Sequence, residues 1–149
     1  HLSPVQREAG LERLHVAAAI LFTFPGSPMV YYGDEAGMEG AADPFNRRTY
    51  PWGRENRELL EWFQTLGRLR KGRVSLRRGS LLWLEAQGPL LAYLREEGHE
   101  ATATLVNAGP ETRVVSLPGE GFRDLISGEV VSGREAPVPP YSVRILGRD

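Results

Sequence analysis

The sequence predicts an α/β segment joined to an all-β segment. Three observations carry that reading: a helix-length apolar run followed by a short, wholly apolar run; a second, amphipathic helical period running to about Arg70; and, past Gly72, short alternating runs between turn residues from Arg73 onward. The chain accordingly divides near Gly72 into residues 1–72 and 73–149. At 149 residues it has room for one domain or two small ones, and it excludes any large enzyme barrel held complete within the chain.

The first element is read from about Gly10 to Phe22. Leu11, Leu14, Ala18 and Leu21 recur at helical spacing, while Val16, Ala17 and Ile20 fill most of the remaining circumference, so this helix is buried on most faces. Pro25-Gly26 stops it. Pro28-Met29-Val30-Tyr31-Tyr32 is continuously apolar and bounded by Pro and Gly, as expected of a strand buried on both faces of a parallel sheet. Gly33 to Trp52 then forms a polar, Gly-rich stretch far longer than the median connection of about 4–6 residues, a length that usually marks function. Asn56 caps a second helix running to Arg70, with Leu59, Trp62, Phe63, Leu66 and Leu69 on one face. Beyond Gly72, six strands are expected: Leu81 to Glu85, Leu90 to Arg95, Thr102 to Val106, Arg113 to Leu117, Phe122 to Leu125 and Tyr141 to Leu146. Gly88-Pro89, Glu97-Gly98 and Ser127-Gly128 are among the turns between them, and together they predict a small antiparallel β-sandwich.

Composition narrows the partners. Hydrophobic residues at 41% and charged residues at 25% are ordinary for a folded chain. Eighteen basic side chains stand against 19 acidic ones and are scattered, which excludes the basic footprint that nucleic acid or an anionic membrane demands. The run from Val16 to Phe22 falls well short of the roughly 20 residues of a membrane helix, and it lacks the flanks of a signal peptide. With no cysteine there is no disulfide, thiolate metal site or Cys nucleophile; the compartment stays open, with a lean toward the cytoplasm. The opening on His1 instead of Met reads as a truncated or processed piece. Lys71 is the sole lysine, and arginine supplies all the other basic side chains.

Two motifs carry a resemblance. Pro25-Gly26-Ser27-Pro28-Met29-Val30-Tyr31-Tyr32-Gly33-Asp34-Glu35-Ala36-Gly37-Met38 resembles the PGTPxIYYGDEIGM segment of the α-amylase family of glycoside hydrolases, where it forms the eighth barrel strand and its end. Asp43-Pro44-Phe45-Asn46-Arg47-Arg48-Thr49-Tyr50-Pro51-Trp52 is similar to the DPxxRRPMxW loop of the neopullulanase, cyclomaltodextrinase and maltogenic amylase branch. Leu90 to Arg95, Arg123 to Glu129 and Pro140 to Val143 look like that branch's C-terminal β-domain. The resemblance implies the last unit or units of a (β/α)8 TIM barrel followed by a small antiparallel β-sandwich.

It also implies an α-glucan hydrolase working by retaining double displacement on starch, pullulan, cyclodextrin or maltooligosaccharides. The family's nucleophile, acid and assisting residues lie on strands upstream of His1. No catalytic residue is therefore expected in this stretch, which should be inactive alone. The expected partners are an α-glucan and the upstream barrel residues of the same enzyme, with no nucleic acid, membrane, cofactor or metal.

Within the stretch, Asp43 and Arg47 are the candidate substrate-binding residues. A carboxylate accepts from sugar hydroxyls and a guanidinium donates through a planar fork, and the resemblance places these positions at the outer glycone subsites. The bland alternative is a loop salt bridge that holds shape. Asp34 and Glu35 cannot flank one glycosidic bond, because neighbours on a strand point to opposite faces; they are expected to fix the loop by hydrogen bonding. Arg48 is expected to be structural, pairing with an acid or capping a carbonyl, and Trp52 with Tyr50 to pack as a staple before the second helix. Gly33, Gly37 and Gly40 form no phosphate loop, and His1, His15 and His99 imply no metal cluster. A competing reading treats the chain as a non-catalytic carbohydrate-binding or interaction module.

Overall fold

The structure is a computed structural model that describes residues 3–40, 42–44 and 46–149; His1, Leu2, Ala41 and Phe45 of the motif loop lie outside the described residues. Helix α1 (Pro4–Thr23) opens the chain, six residues before the apolar pattern begins. The earlier start comes from a capping box. Ser3 Oγ accepts from Gln6 N–H at 3.3 Å, Gln6 Oε1 accepts from Ser3 N–H at 2.9 Å, and Pro4 presets the first turn. These first residues are exposed, so apolar periodicity carried no trace of them.

Pro28 to Tyr32 does not form a strand. The segment pairs with nothing among the described residues, and Met29 is 76% exposed with Val30, Tyr31 and Tyr32 also open to solvent. A parallel strand needs neighbours on both edges, and no described segment lies beside it. The chain then enters a run of turns in which Met38 N–H and Ala36 N–H both donate to Gly33 O. Gly33 sits there at φ 85, and a Cβ would run into the Met38 side chain, so glycine is the residue that fits.

Helix α2 (Arg57–Gly72) begins where its cap predicts, with Asn56 Oδ1 accepting from Leu59 N–H at 3.1 Å. Arg73 ends α2 and starts a short helix, α3 (Val74–Arg78). Five residues are too few for a sequence period to register, and this element was not anticipated.

Seven strands follow: β1 (Ser80–Gln87), β2 (Leu90–Glu97), β3 (Glu100–Asn107), β4 (Arg113–Ser116), β5 (Arg123–Asp124), β6 (Glu135–Val138) and β7 (Ser142–Arg148). Five form an antiparallel sheet in the order β1-β2-β3-β7-β5, and β4 pairs with β6 in a second sheet. The expected strand around Phe122 to Leu125 shrinks to the two residues of β5. Strand β6 was not among the expected strands; it carries Pro137, and its place opposite β4 in a two-stranded ladder is an edge, where proline is tolerated.

The large sheet is covered on both faces. Leu90, Ala92 and Leu94 of β2, Ala103 and Leu105 of β3 and Leu146 of β7 face the small sheet, where Val115, Phe122 and Val138 complete one core. On the other face, Ile145 joins Ala18, Ala19 and Phe22 of α1 and Leu59, Phe63 and Leu66 of α2 in a second core, with the Phe22 and Phe63 rings edge to face at 6.0 Å. On this helix-facing side Thr104 Oγ1 is buried without a hydrogen-bond partner among the described residues, while other polar groups are paired. Tyr93 and Thr23 hydroxyls bond at 2.7 Å, and Thr102 accepts from Arg73 Nε at 2.7 Å. Among the described residues, no helix is long and apolar enough to cross a membrane.

Candidate functional site

The stretch from Gly33 to Glu55 is held by fixed points at its margins. Asn56 N–H donates to Ala36 O at 3.0 Å, tying the loop to the start of α2, and Arg7 of α1 pairs with Glu39 at 3.2 Å. Farther out, the Tyr32 hydroxyl donates to the Asn46 carbonyl.

Asp43 and Arg47 meet on the surface of this stretch. Arg47 Nε lies 2.6 Å from Asp43 Oδ1, and the two side chains are 72% and 60% exposed. The two residues picked from sequence as substrate contacts are thus brought together, with their remaining donors and acceptors open to solvent.

Asp34 and Glu35 sit deeper. Burial raises the Asp34 carboxyl above its usual range, the neighbouring Glu35 charge adds to that, and the Tyr31 backbone pulls the other way. Glu35 Oε2 is buried with no hydrogen-bond partner among the described residues, and so is Asn46 Oδ1. The bonds that visibly hold this turn are main-chain ones: Asp34 N–H to Tyr31 O and Gly37 N–H to Asp34 O, each 3.1 Å.

Arg48 is exposed and enters no ion pair among the described residues. It lines an open groove with Arg7, Met38, Glu39, Thr49 and Arg54, on which neither Asp43 nor Arg47 borders. The expected aromatic staple is absent: Trp52 is 81% exposed, and its ring stacks at a tilt on Tyr50, 4.6 Å between centroids. Helix α2 is started by Asn56 alone, so Trp52 has no packing duty there. Burial, followed by the charges of Glu35 and Glu55, raises the Tyr50 phenol. Sequence reasoning missed the exposure of Trp52, because a Pro-Trp pair before a helix gives the same signal whether the ring packs or projects. No group of three or more His, Asp or Glu that could hold a metal occurs among the described residues.

Over most of its length this chain is similar to enzymes of the α-amylase family of glycoside hydrolases. It is similar to an amylopullulanase of Thermoanaerobacter thermohydrosulfuricus, 41% identical over 153 residues, covering 91% of this chain and 10% of that protein. It is also similar to neopullulanase 2 of Thermoactinomyces vulgaris, 36% identical over 143 residues, covering 86% of this chain and 24% of that one. Among solved structures, an Anoxybacillus α-amylase superimposes with a TM-score of 0.83 at 29% identity, over 92% of this chain and 32% of that chain. The chain therefore spans between a tenth and a third of the length of these relatives. No family model matches it.

Proposed function

We propose that residues 1–72 are the C-terminal end of a (β/α)8 catalytic barrel and residues 73–149 its β-sandwich domain, in an enzyme that hydrolyses α-glucans with retention. The substrate is starch, pullulan, a cyclodextrin or a maltooligosaccharide. Retention requires two carboxylates about 5–5.5 Å apart, one attacking the anomeric carbon and one protonating the leaving oxygen. In this reading those carboxylates lie outside the 149 residues, and the chain supplies contacts on the glycone side. Asp43 accepts from sugar hydroxyls, Arg47 donates to them, and the exposed face of Trp52 is available for a pyranose ring.

The exposed Asp43–Arg47 pair carries the reading. An ion pair so open to water contributes at most about 1 kcal/mol to stability, so holding the loop is a weak reason for its presence. Placing a charged fork and an acceptor side by side for hydroxyls is a better one. In the full-length enzyme, Arg47→Ala should raise KM for maltooligosaccharides about tenfold, the scale of one lost charged hydrogen bond, with the melting temperature unchanged. A lost melting transition with KM unaltered would instead make the pair a loop brace. The 149-residue chain alone should release no reducing sugar from pullulan, starch or cyclodextrin, and sustained turnover by it would refute the placement of the carboxylates.

A further inference from the structure

Tyr141 is the one non-glycine residue with positive φ among the described residues, at φ 50. Bulky side chains are uncommon there, and such conformations persist where the surroundings impose them. The turn is pinned from three directions. Ser142 Oγ and Asn107 Nδ2 both donate to Pro139 O, at 2.7 and 3.1 Å, and Tyr141 N–H donates to Gly109 O at 3.2 Å. The unfavourable backbone is not repaid by burial of the ring: Tyr141 is 58% exposed, and its hydroxyl makes no hydrogen bond among the described residues.

The pinned turn instead stands the ring at the side of a groove of about 520 Å³, running along the seam between α1, the start of α2 and the start of β7. Leu11, Val16 and Val143 give this groove apolar surface, and Glu8, Glu12 and His15 lie on the same flank of α1 at helical spacing. A second groove of about 450 Å³, with Val16, Ala17 and Ile20 of α1, also borders the ring. Neither Asp43 nor Arg47 lines either one.

We propose that Tyr141 is the stacking platform of a second carbohydrate site, which takes a segment of an α-glucan chain along the α1–α2 seam. An exposed phenol offers a rigid apolar face for the C–H face of a pyranose. Glu8 and Glu12, in no ion pair among the described residues, are free to accept from its hydroxyls. Their charge works against phosphate or other anionic ligands and leaves a neutral polyol favoured. The choice of glucan rests on the hydrolase reading above; the existence of the site rests on the ring, the groove and the pinned turn.

The test uses the full-length protein and a non-hydrolysable, thio-linked maltooligosaccharide in calorimetric titration, with melting temperature measured in parallel. Tyr141→Gly should remove one binding event or weaken it at least tenfold, with melting unchanged or raised because glycine adopts φ 50 freely. Tyr141→Asn, which also tolerates this backbone, should behave as Tyr141→Gly does, and Tyr141→Trp should retain binding. Unchanged stoichiometry and affinity in Tyr141→Gly would overturn the proposal. So would full binding by Tyr141→Asn, since the ring would then be dispensable. Glucan turnover by the wild type alongside unaltered Tyr141→Gly binding would sink the groove alone; absence of both turnover and binding would sink the hydrolase reading with it.

Discussion

Asp34 sits where the chain turns out of Tyr32, half-buried and beside Glu35, and burial makes its charged form unwelcome. A carboxyl whose folded pKa is raised favours the fold fully below its unfolded value near 3.8, and that advantage is lost as pH rises through the higher folded value. Asp34→Asn removes the charge. Its melting temperature should therefore match the wild type near pH 3.5 and exceed it at pH 7, and a thermal scan across that range checks the sign; a variant less stable at pH 7 would show that the carboxylate is held by a partner. Asp124 illustrates the opposite environment. Its Oδ1 accepts from Ile126 and Ser127 N–H, and its Oδ2 takes Arg144 Nε at 2.9 Å, so this buried carboxylate is fully engaged in closing a turn. Arg144 also reaches Glu129, so one guanidinium ties both ends of the Arg123 to Glu129 segment.

The C-terminus of α1 shows how one element depends on others. No basic residue lies in its last turn, although a helix C-terminus leaves carbonyls unpaired and carries partial negative charge. Arg70 of α2 donates to Phe22 O at 2.7 Å, to Phe24 O at 3.0 Å and to Gly26 O, while Arg95 of β2 donates to Thr23 O at 2.9 Å and to Gly79 O. Arg95 is 2% exposed and has no carboxylate partner among the described residues; burial lowers its pKa, and the nearby Arg70 charge adds to that. Removing it strands the buried Thr23 carbonyl and the partly buried Gly79 carbonyl. Arg95→Ala should cost about 2–4 kcal/mol, and Arg95→Lys should recover only part because a single ammonium does not reproduce the fork. Hydrogen exchange at Ala19 to Thr23 is the readout, and unchanged protection in Arg95→Ala would refute the clamp.

At this scale the sequence was legible wherever period and punctuation agree. Asn56 and the apolar face of α2, and the strands between Gly88-Pro89 and Glu97-Gly98, appear where the pattern places them. The fold class followed from those elements. Helix α3 was hidden by its shortness and strand β6 was not among the expected strands, while Pro28 to Tyr32 is unpaired among the described residues because an apolar run reports that a strand can be buried, not that this stretch brings its neighbours. The Asp43–Arg47 pairing was foreseeable from residue chemistry plus the motif, whereas Tyr141 was read as ordinary strand because nothing in its sequence context announces a positive φ.

For the molecule as a whole, the large sheet serves two cores at once. Ile145 and Leu146 are adjacent, both fully buried, and face opposite ways: Ile145 toward α1 and α2, Leu146 toward the small sheet. Each substitution to Ala should cost about 2–5 kcal/mol. In hydrogen exchange, Ile145→Ala should loosen α1 and α2 first, and Leu146→Ala should loosen β4 and β6 first. Identical exchange maps for the two would mean that the faces do not act as separate cores.

That two-faced sheet bears on recombination between relatives. A chimera joined at Gly72 looks natural, since it exchanges whole helices for whole strands. Yet Thr23 lies before the junction, while the Arg95 and Tyr93 groups that satisfy it lie after, as does Ile145 beneath Phe22 and Phe63. Parents that match at Thr23, Tyr93, Arg95 and Ile145 can exchange halves at that junction. Parents that differ there lose the Thr23 contacts or the packing on Ile145, even though Arg70, on the near side of the junction, still reaches Phe22 O and Phe24 O.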